Sequence, residues 1–171
     1  MATSPKRVEL ILPDGRRWQS PDDAFEQKNI AEAEAPQEKP AARLRQLKDL
    51  AKRFRVHEIW KPDNSRIELR LLIQPAYRYT DPAREIQDGA IFIFAHGTNP
   101  ETILFIEATG KLLGEARWNY SVVRSTSAEL HVELDEREVW SCLRADGTNQ
   151  GPGKTHWGFN LPIEATPTAD K

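Results

Sequence analysis

Ala90-Ile91-Phe92-Ile93-Phe94-Ala95, Gly97-Thr98-Asn99-Pro100-Glu101 and Thr102-Ile103-Leu104-Phe105-Ile106 make up the stretch whose reading decides the fold. Both flanking runs are apolar at consecutive positions, so each strand is covered on its two faces or lies at an interface between copies. A connection of about five residues is too short for a parallel crossover, so the runs form an antiparallel hairpin. Two such strands belong in the middle of a sheet.

Outward from this hairpin the texture stays β. Arg66-Ile67-Glu68-Leu69-Arg70-Leu71-Leu72-Ile73 starts by alternating and ends at Gln74-Pro75, because proline cannot donate to a ladder. Further strands are predicted over 117–124, 129–134, 138–143 and 156–161; in the last, Trp157, Phe159 and Leu161 alternate with polar or small residues. Upstream, Leu44, Leu47, Ala51 and Phe54 recur at three- and four-residue steps, which predicts a helix over 41–55. Val8–Leu12 and Arg16–Gln19 flank Pro13-Asp14-Gly15 as a short hairpin. Ser20-Pro21-Asp22-Asp23 looks like a helix start, and residues 31–40 look like a mobile linker. The fold class is therefore α+β: a largely antiparallel sheet of about six or seven strands with one amphipathic basic helix packed on it. The division expected is a hairpin and acidic linker over 1–40, a core domain over 41–161, and a disordered tail over 162–171.

With 171 residues and 39% hydrophobic content, the chain has the size of one domain and enough apolar mass for a core. A net charge of -2 gives no overall bias toward nucleic acid or anionic membrane. Cys142 is the only cysteine, which excludes an internal disulfide and makes no thiolate cage. The chain begins without an apolar run long enough for a signal peptide and has no membrane-length segment, so the expected location is the cytoplasm.

Leu69-Arg70-Leu71-Leu72-Ile73-Gln74-Pro75-Ala76-Tyr77-Arg78-Tyr79 is followed in order by several shorter motifs. These are Asp88-Gly89-Ala90, Phe92, Phe94, Gly97-Thr98-Asn99-Pro100-Glu101, Glu107-Ala108 and Trp118-Asn119-Tyr120. The set resembles a bacterial protein family, without an assigned activity, that shares an LRLLxQPxYRY, DGAxFxF, GTxPExxLxxEA and WxY core. The resemblance spans roughly residues 40–143. It implies a bacterial origin and a shared β-rich core, and it carries over no catalytic residue.

The candidate chemistry is sparse. Gly153-Lys154-Thr155 lacks the glycine at position 148 that a phosphate loop requires, since Thr148 stands there. His131, Glu133 and Asp135 share one strand face, yet neighbours on that face are about 7 Å apart and match a solvated strand better than a metal site. His96 and Glu107 lie at opposite ends of the hairpin, roughly 16 Å apart at about 3.3 Å per residue, so they cannot share a proton. His96 and Glu101 flank one turn, and turn chemistry accounts for the residues between them.

Glu107 ends an apolar strand and needs a partner, with Arg117 or Arg124 as candidates. The ligand-binding set is accordingly Tyr77, Arg78, Glu107 and Arg124; no catalytic residue, metal or cofactor is assigned. Residues 39–61 hold eight Lys or Arg against two acids, whereas residues 20–38 hold six acids against one Lys. Arg43, Arg45, Lys48, Lys52, Arg53 and Arg55 would give the helix a basic surface, facing water, nucleic acid or the chain's own acidic segment.

The leading functional expectation is a non-catalytic binding or interaction module, with a protein partner or self-association. The alternatives are a small-molecule sensor or enzyme with a cleft near Glu107, and a nucleic-acid-associated protein using the helix.

Overall fold

Residues 9–11, 15–19 and 26–145 are described by the structure, a computed structural model. The elements run β1 (Glu9–Ile11), β2 (Arg17–Gln19), β3 (Lys28–Asn29), α1 (Pro40–Ala51), β4 (Phe54–Trp60), β5 (Ser65–Glu68) and β6 (Arg70–Asp81). They continue with β7 (Ile86–His96), β8 (Asn99–Thr109), β9 (Arg117–Arg124), β10 (Glu129–Leu134) and β11 (Arg137–Cys142). This is the expected α+β architecture, antiparallel throughout. The phosphate-loop candidate, the strand over 156–161, the helix start after Ser20 and the tail lie outside the described residues.

Two sheets carry the core. One has the order β11-β10-β4-β5, the other β3-β9-β8-β7-β6, and β1 with β2 forms a separate hairpin. The two apolar runs are the β7–β8 hairpin, and both strands sit inside the five-stranded sheet as their composition requires. The connecting turn is tighter than expected. His96 already pairs with Asn99, so only Gly97 and Thr98 turn the chain, with Gly97 at φ 59°.

Between β5 and β6 only Leu69 intervenes, and its N–H still donates to Val56 at 2.8 Å. The chain thus passes directly from one sheet into the other. At the opposite margin Lys28 Nζ donates to the Val139 carbonyl at 3.0 Å, tying β3 to β11. The result is a curled, nearly closed wall around one core. Phe92, Phe94, Leu104, Ile106, Trp118 and Tyr120 from one sheet meet Val56, Leu130 and Val132 from the other.

The helix α1 lies across one end of this wall and inserts Leu47, Leu50 and Ala51 into the core. It stops at Ala51, short of the expected residue 55. Phe54-Arg55-Val56-His57-Glu58-Ile59-Trp60 instead forms β4, which pairs with β10 and β5. Phe54, Val56 and Glu58 point inward, at the period of two that defines a strand. With this strand and the short β3, the two main sheets hold nine strands, more than the six or seven expected.

Buried Asp88 locks the helix in place. It accepts from Arg43 Nε at 2.6 Å and from Arg78 Nε and Nη2 at 2.9 and 2.6 Å. Arg43 also donates to the Gln37 and Glu38 carbonyls, and Arg78 to the Pro40 carbonyl. Burial opposes the charged form of Asp88, but hydrogen bonds and charge from the two arginines outweigh it and hold its pKa below the ordinary value. Of residues 31–40, expected as a mobile linker, Pro40 opens α1 and the others are held against the body: Gln46 bonds Gln37 N–H and the Ala35 carbonyl, and Arg53 bonds the Ala31 carbonyl.

Candidate functional site at the open end of the sheets

The end opposite α1 is where polar groups collect. Glu58 comes from the inner face of β4, His96 from the last position of β7, and Glu101 from the start of β8. Alternation along β8 would point Glu101 away from the interior, because Thr102 faces inward. A β-bulge changes this: Phe94 pairs with Thr102 and Ala95 with Pro100, which leaves Glu101 as the extra residue. An extra residue bends the strand and re-aims its side chain. Pro100 beside it has no N–H to lose from the ladder.

Glu58 is 1% exposed, and its Oε1 lies 2.7 Å from His96 Nδ1. The indole of Trp60 meets the His96 ring edge-on at 5.4 Å. Glu101 is 8% exposed. Burial raises its pKa, the Thr126 hydroxyl lowers it by hydrogen bonding, Glu58 raises it and His96 lowers it, leaving it above the ordinary carboxylate value. Glu58, Ile59, Trp60, Lys61, Pro62, Glu101, Thr126, Ser127, Ala128 and Arg144 line a cavity of about 390 Å³. Lys61 and Arg144 stand at its exposed rim.

Arg124 supports this wall without entering the charge balance of an acid. Its Nε, Nη1 and Nη2 donate to the carbonyls of Thr126, Leu143 and Ala128 at 2.9, 3.0 and 2.5 Å. The loop that carries Thr126 and Ser127 is thereby fixed. The Thr102 hydroxyl, opposite Arg124 in the register, is buried without a hydrogen-bond partner.

The structure does not gather Tyr77, Arg78, Glu107 and Arg124 into one cleft. Arg78 is committed to Asp88 on the inner face, and Arg124 lies at the opposite end of the sheet. Glu107 and Tyr77 lie on the outer face. Glu107 is 1% exposed and accepts from Tyr79 Oη and from Gln27 Nε2, the latter at 2.7 Å; neither expected arginine reaches it. Burial and the hydrogen bond to Glu107 push the Tyr79 phenol well above its ordinary pKa. Tyr77, exposed, stacks on Tyr79 at 6.0 Å.

The basic surface also divides. Arg43 is buried on Asp88, Arg53 follows the helix and pairs with Asp135, and Arg55 lies on β4. Arg45, Lys48 and Lys52 remain on or just beyond α1, with Lys48 bound to Gln74 and Lys52 to Asp49. His131, on the outer face of the other sheet, engages Glu138 and Glu129 and stacks on His57 at 4.8 Å.

Sequence reasoning set His96 and Glu101 on either side of one turn, gave them to turn chemistry, and missed Glu58. A carboxylate at an inward position of Phe54-Arg55-Val56-His57-Glu58 was the available signal, once that segment is read as a strand.

Comparison with family models, with curated proteins and with solved structures gave no match. Among the described residues no helix is long and apolar enough to cross a membrane.

Proposed function

We propose that this protein is a non-catalytic binding module whose ligand site is the cavity between the sheets at the end opposite α1. The observation that carries the reading is Glu101, a carboxylate more than nine-tenths buried that lines a cavity of about 390 Å³. Buried carboxylates are costly without a partner, and proteins retain them where they are used. The volume falls in the range of small-molecule sites, about 300–1,000 Å³. The same features move the expected small-molecule cleft from Glu107, which Tyr79 and Gln27 close off, to Glu58 and Glu101.

A bacterial, cytoplasmic protein acting through a small ligand, with signalling to a protein partner or a second copy, fits this reading. The nucleic-acid alternative draws less support, because Arg43 and Arg53 are taken by Asp88 and Asp135. An amide NMR titration with a fragment mixture tests the proposal. Shifts are expected at residues 58–62, 101 and 126–128; shifts confined to α1 or to the Tyr77 face would refute it.

A further inference from the structure

We propose that the cavity takes an organic monocation, with its ammonium or guanidinium beside Glu58 and Glu101 and its apolar body against Trp60. This deepens the binding reading above and rests on it.

Charge is the first argument. Among the described residues no Lys or Arg pairs with Glu101, and its hydrogen-bonding neighbour is the neutral Thr126 hydroxyl. The nearby buried cation, Arg124, directs its donors to three backbone carbonyls instead. Lys61 and Arg144 line the cavity at its exposed rim, so the buried carboxylate holds a proton or takes a cation that reaches past that rim. A cation entering the cavity would bring the raised pKa of Glu101 down.

Size and shape decide which cation. The cavity is far larger than a bare metal ion occupies, and hard ions want about six to eight oxygen ligands. One oxygen of Glu58 is already held by His96, and among the described residues no group of three His, Cys, Asp or Glu could hold a metal. An organic ion fits better. Trp60, 42% exposed and braced edge-on by His96, supplies an apolar and cation-attracting wall.

The test uses three probes with the same ring, titrated into the full chain at pH 7 by NMR: benzylammonium, benzyl alcohol and benzoate. Benzylammonium is expected to bind about tenfold tighter than the alcohol, because charge-assisted hydrogen bonds are about twice as strong as neutral ones. Its shifts should centre on Trp60 and Glu101, and benzoate should bind most weakly. Glu101→Gln should cut the preference for the cation over the alcohol to about twofold. Trp60→Ala should weaken cation and alcohol alike.

If Glu101→Gln fails to fold, lowering the pH serves instead: the preference should fall as Glu101 protonates. Glu58, Lys61 and Arg144 are the other charged groups lining the cavity, and His96 stands beside it, in contact with Glu58 and Trp60. Equal binding of alcohol and cation at the cavity, or a preference untouched by Glu101→Gln and by pH, overturns the monocation and leaves the site standing. No shift at the cavity with any probe overturns the site and the monocation together.

Discussion

Replacing Asp88 by asparagine keeps the shape of a side chain that is 2% exposed and removes the charge that two guanidiniums share. Three charge-assisted hydrogen bonds, at 2.6, 2.9 and 2.6 Å, lose their acceptor strength at once. Breaking a buried ion pair from one side costs about 3–5 kcal/mol, mostly because the surviving charge stays buried. Arg78 is 30% exposed and can turn toward water, and Arg43 keeps the Gln37 and Glu38 carbonyls. The expected loss is therefore at the lower end, about 3 kcal/mol.

Urea unfolding followed by tryptophan fluorescence measures it, with buried Trp118 as a reporter. At a slope of about 2 kcal/mol/M the midpoint should fall by about 1.5 M with the slope unchanged. Arg43→Gln leaves Asp88 still bound twice by Arg78, so it should cost less, about 1–2 kcal/mol. The pH dependence has a definite sign. The folded pKa of Asp88 is depressed, so its contribution is present above the unfolded value of about 3.9 and lost as pH falls through the folded value. The gap between wild type and Asp88→Asn should hence narrow in acid. A loss under about 1 kcal/mol at pH 7, or a greater loss in Arg43→Gln, would show that Asp88 is not the clamp holding α1.

A Cβ on Gly110 would lie 2.7 Å from the Ala116 Cα, so Gly110→Ala should lose about 1–3 kcal/mol in urea unfolding, whereas Gly114→Ala, with nothing within 4 Å, should stay within about 0.5 kcal/mol. Equal effects at the two glycines would refute the crowding. Tyr79→Phe leaves buried Glu107 with Gln27 as its remaining donor among the described residues and should cost about 1–3 kcal/mol in the same assay; a neutral result would mean that the phenol does not satisfy the carboxylate. Burial, Arg66 and His131 lower the His57 pKa, while at His131 burial is outweighed by Glu138 and Glu129, which raise it. In an NMR titration of the imidazole protons, His131 should take up its proton at higher pH than His57, and the reverse order would contradict the assigned geometry.

The hairpin of β7 and β8 was legible because its apolar positions are consecutive, a pattern that few environments other than a sheet centre satisfy. Strands β9, β10 and β11 were legible because each alternates or is bounded by turns. β4 was not. Phe54 lies three residues after Ala51 and prolongs the helical period, and basic residues continue across the junction. The alternation that marks the strand is interrupted at Glu58, where a carboxylate occupies an inward position. The residue that hid the strand is one of those that define the candidate site, which is where local rules are expected to break. The inward aim of Glu101 was hidden for a different reason: it depends on the bulge opposite Ala95, and pairing register is not written in either strand alone.

Glu107 and Glu101 look alike in the sequence, each a carboxylate bounding an apolar strand, and both are buried. Their surroundings separate them. Around Glu107 the space is filled. Gly89 opposite it lacks a side chain, so the Tyr79 ring can lie across the strand; a Cβ there would approach Tyr79 Cζ to 3.0 Å. With Tyr79 and Gln27 donating, that carboxylate is hydrogen-bonded from within the protein. Around Glu101 the described residues supply the Thr126 hydroxyl, the nearby His96 and a cavity. A folding chain gains nothing in stability from that arrangement, since an apolar residue at the same position would avoid the desolvation cost. A cavity beside a buried carboxylate that, among the described residues, no Lys or Arg pairs is therefore the stronger argument for binding at the end of the sheets opposite α1.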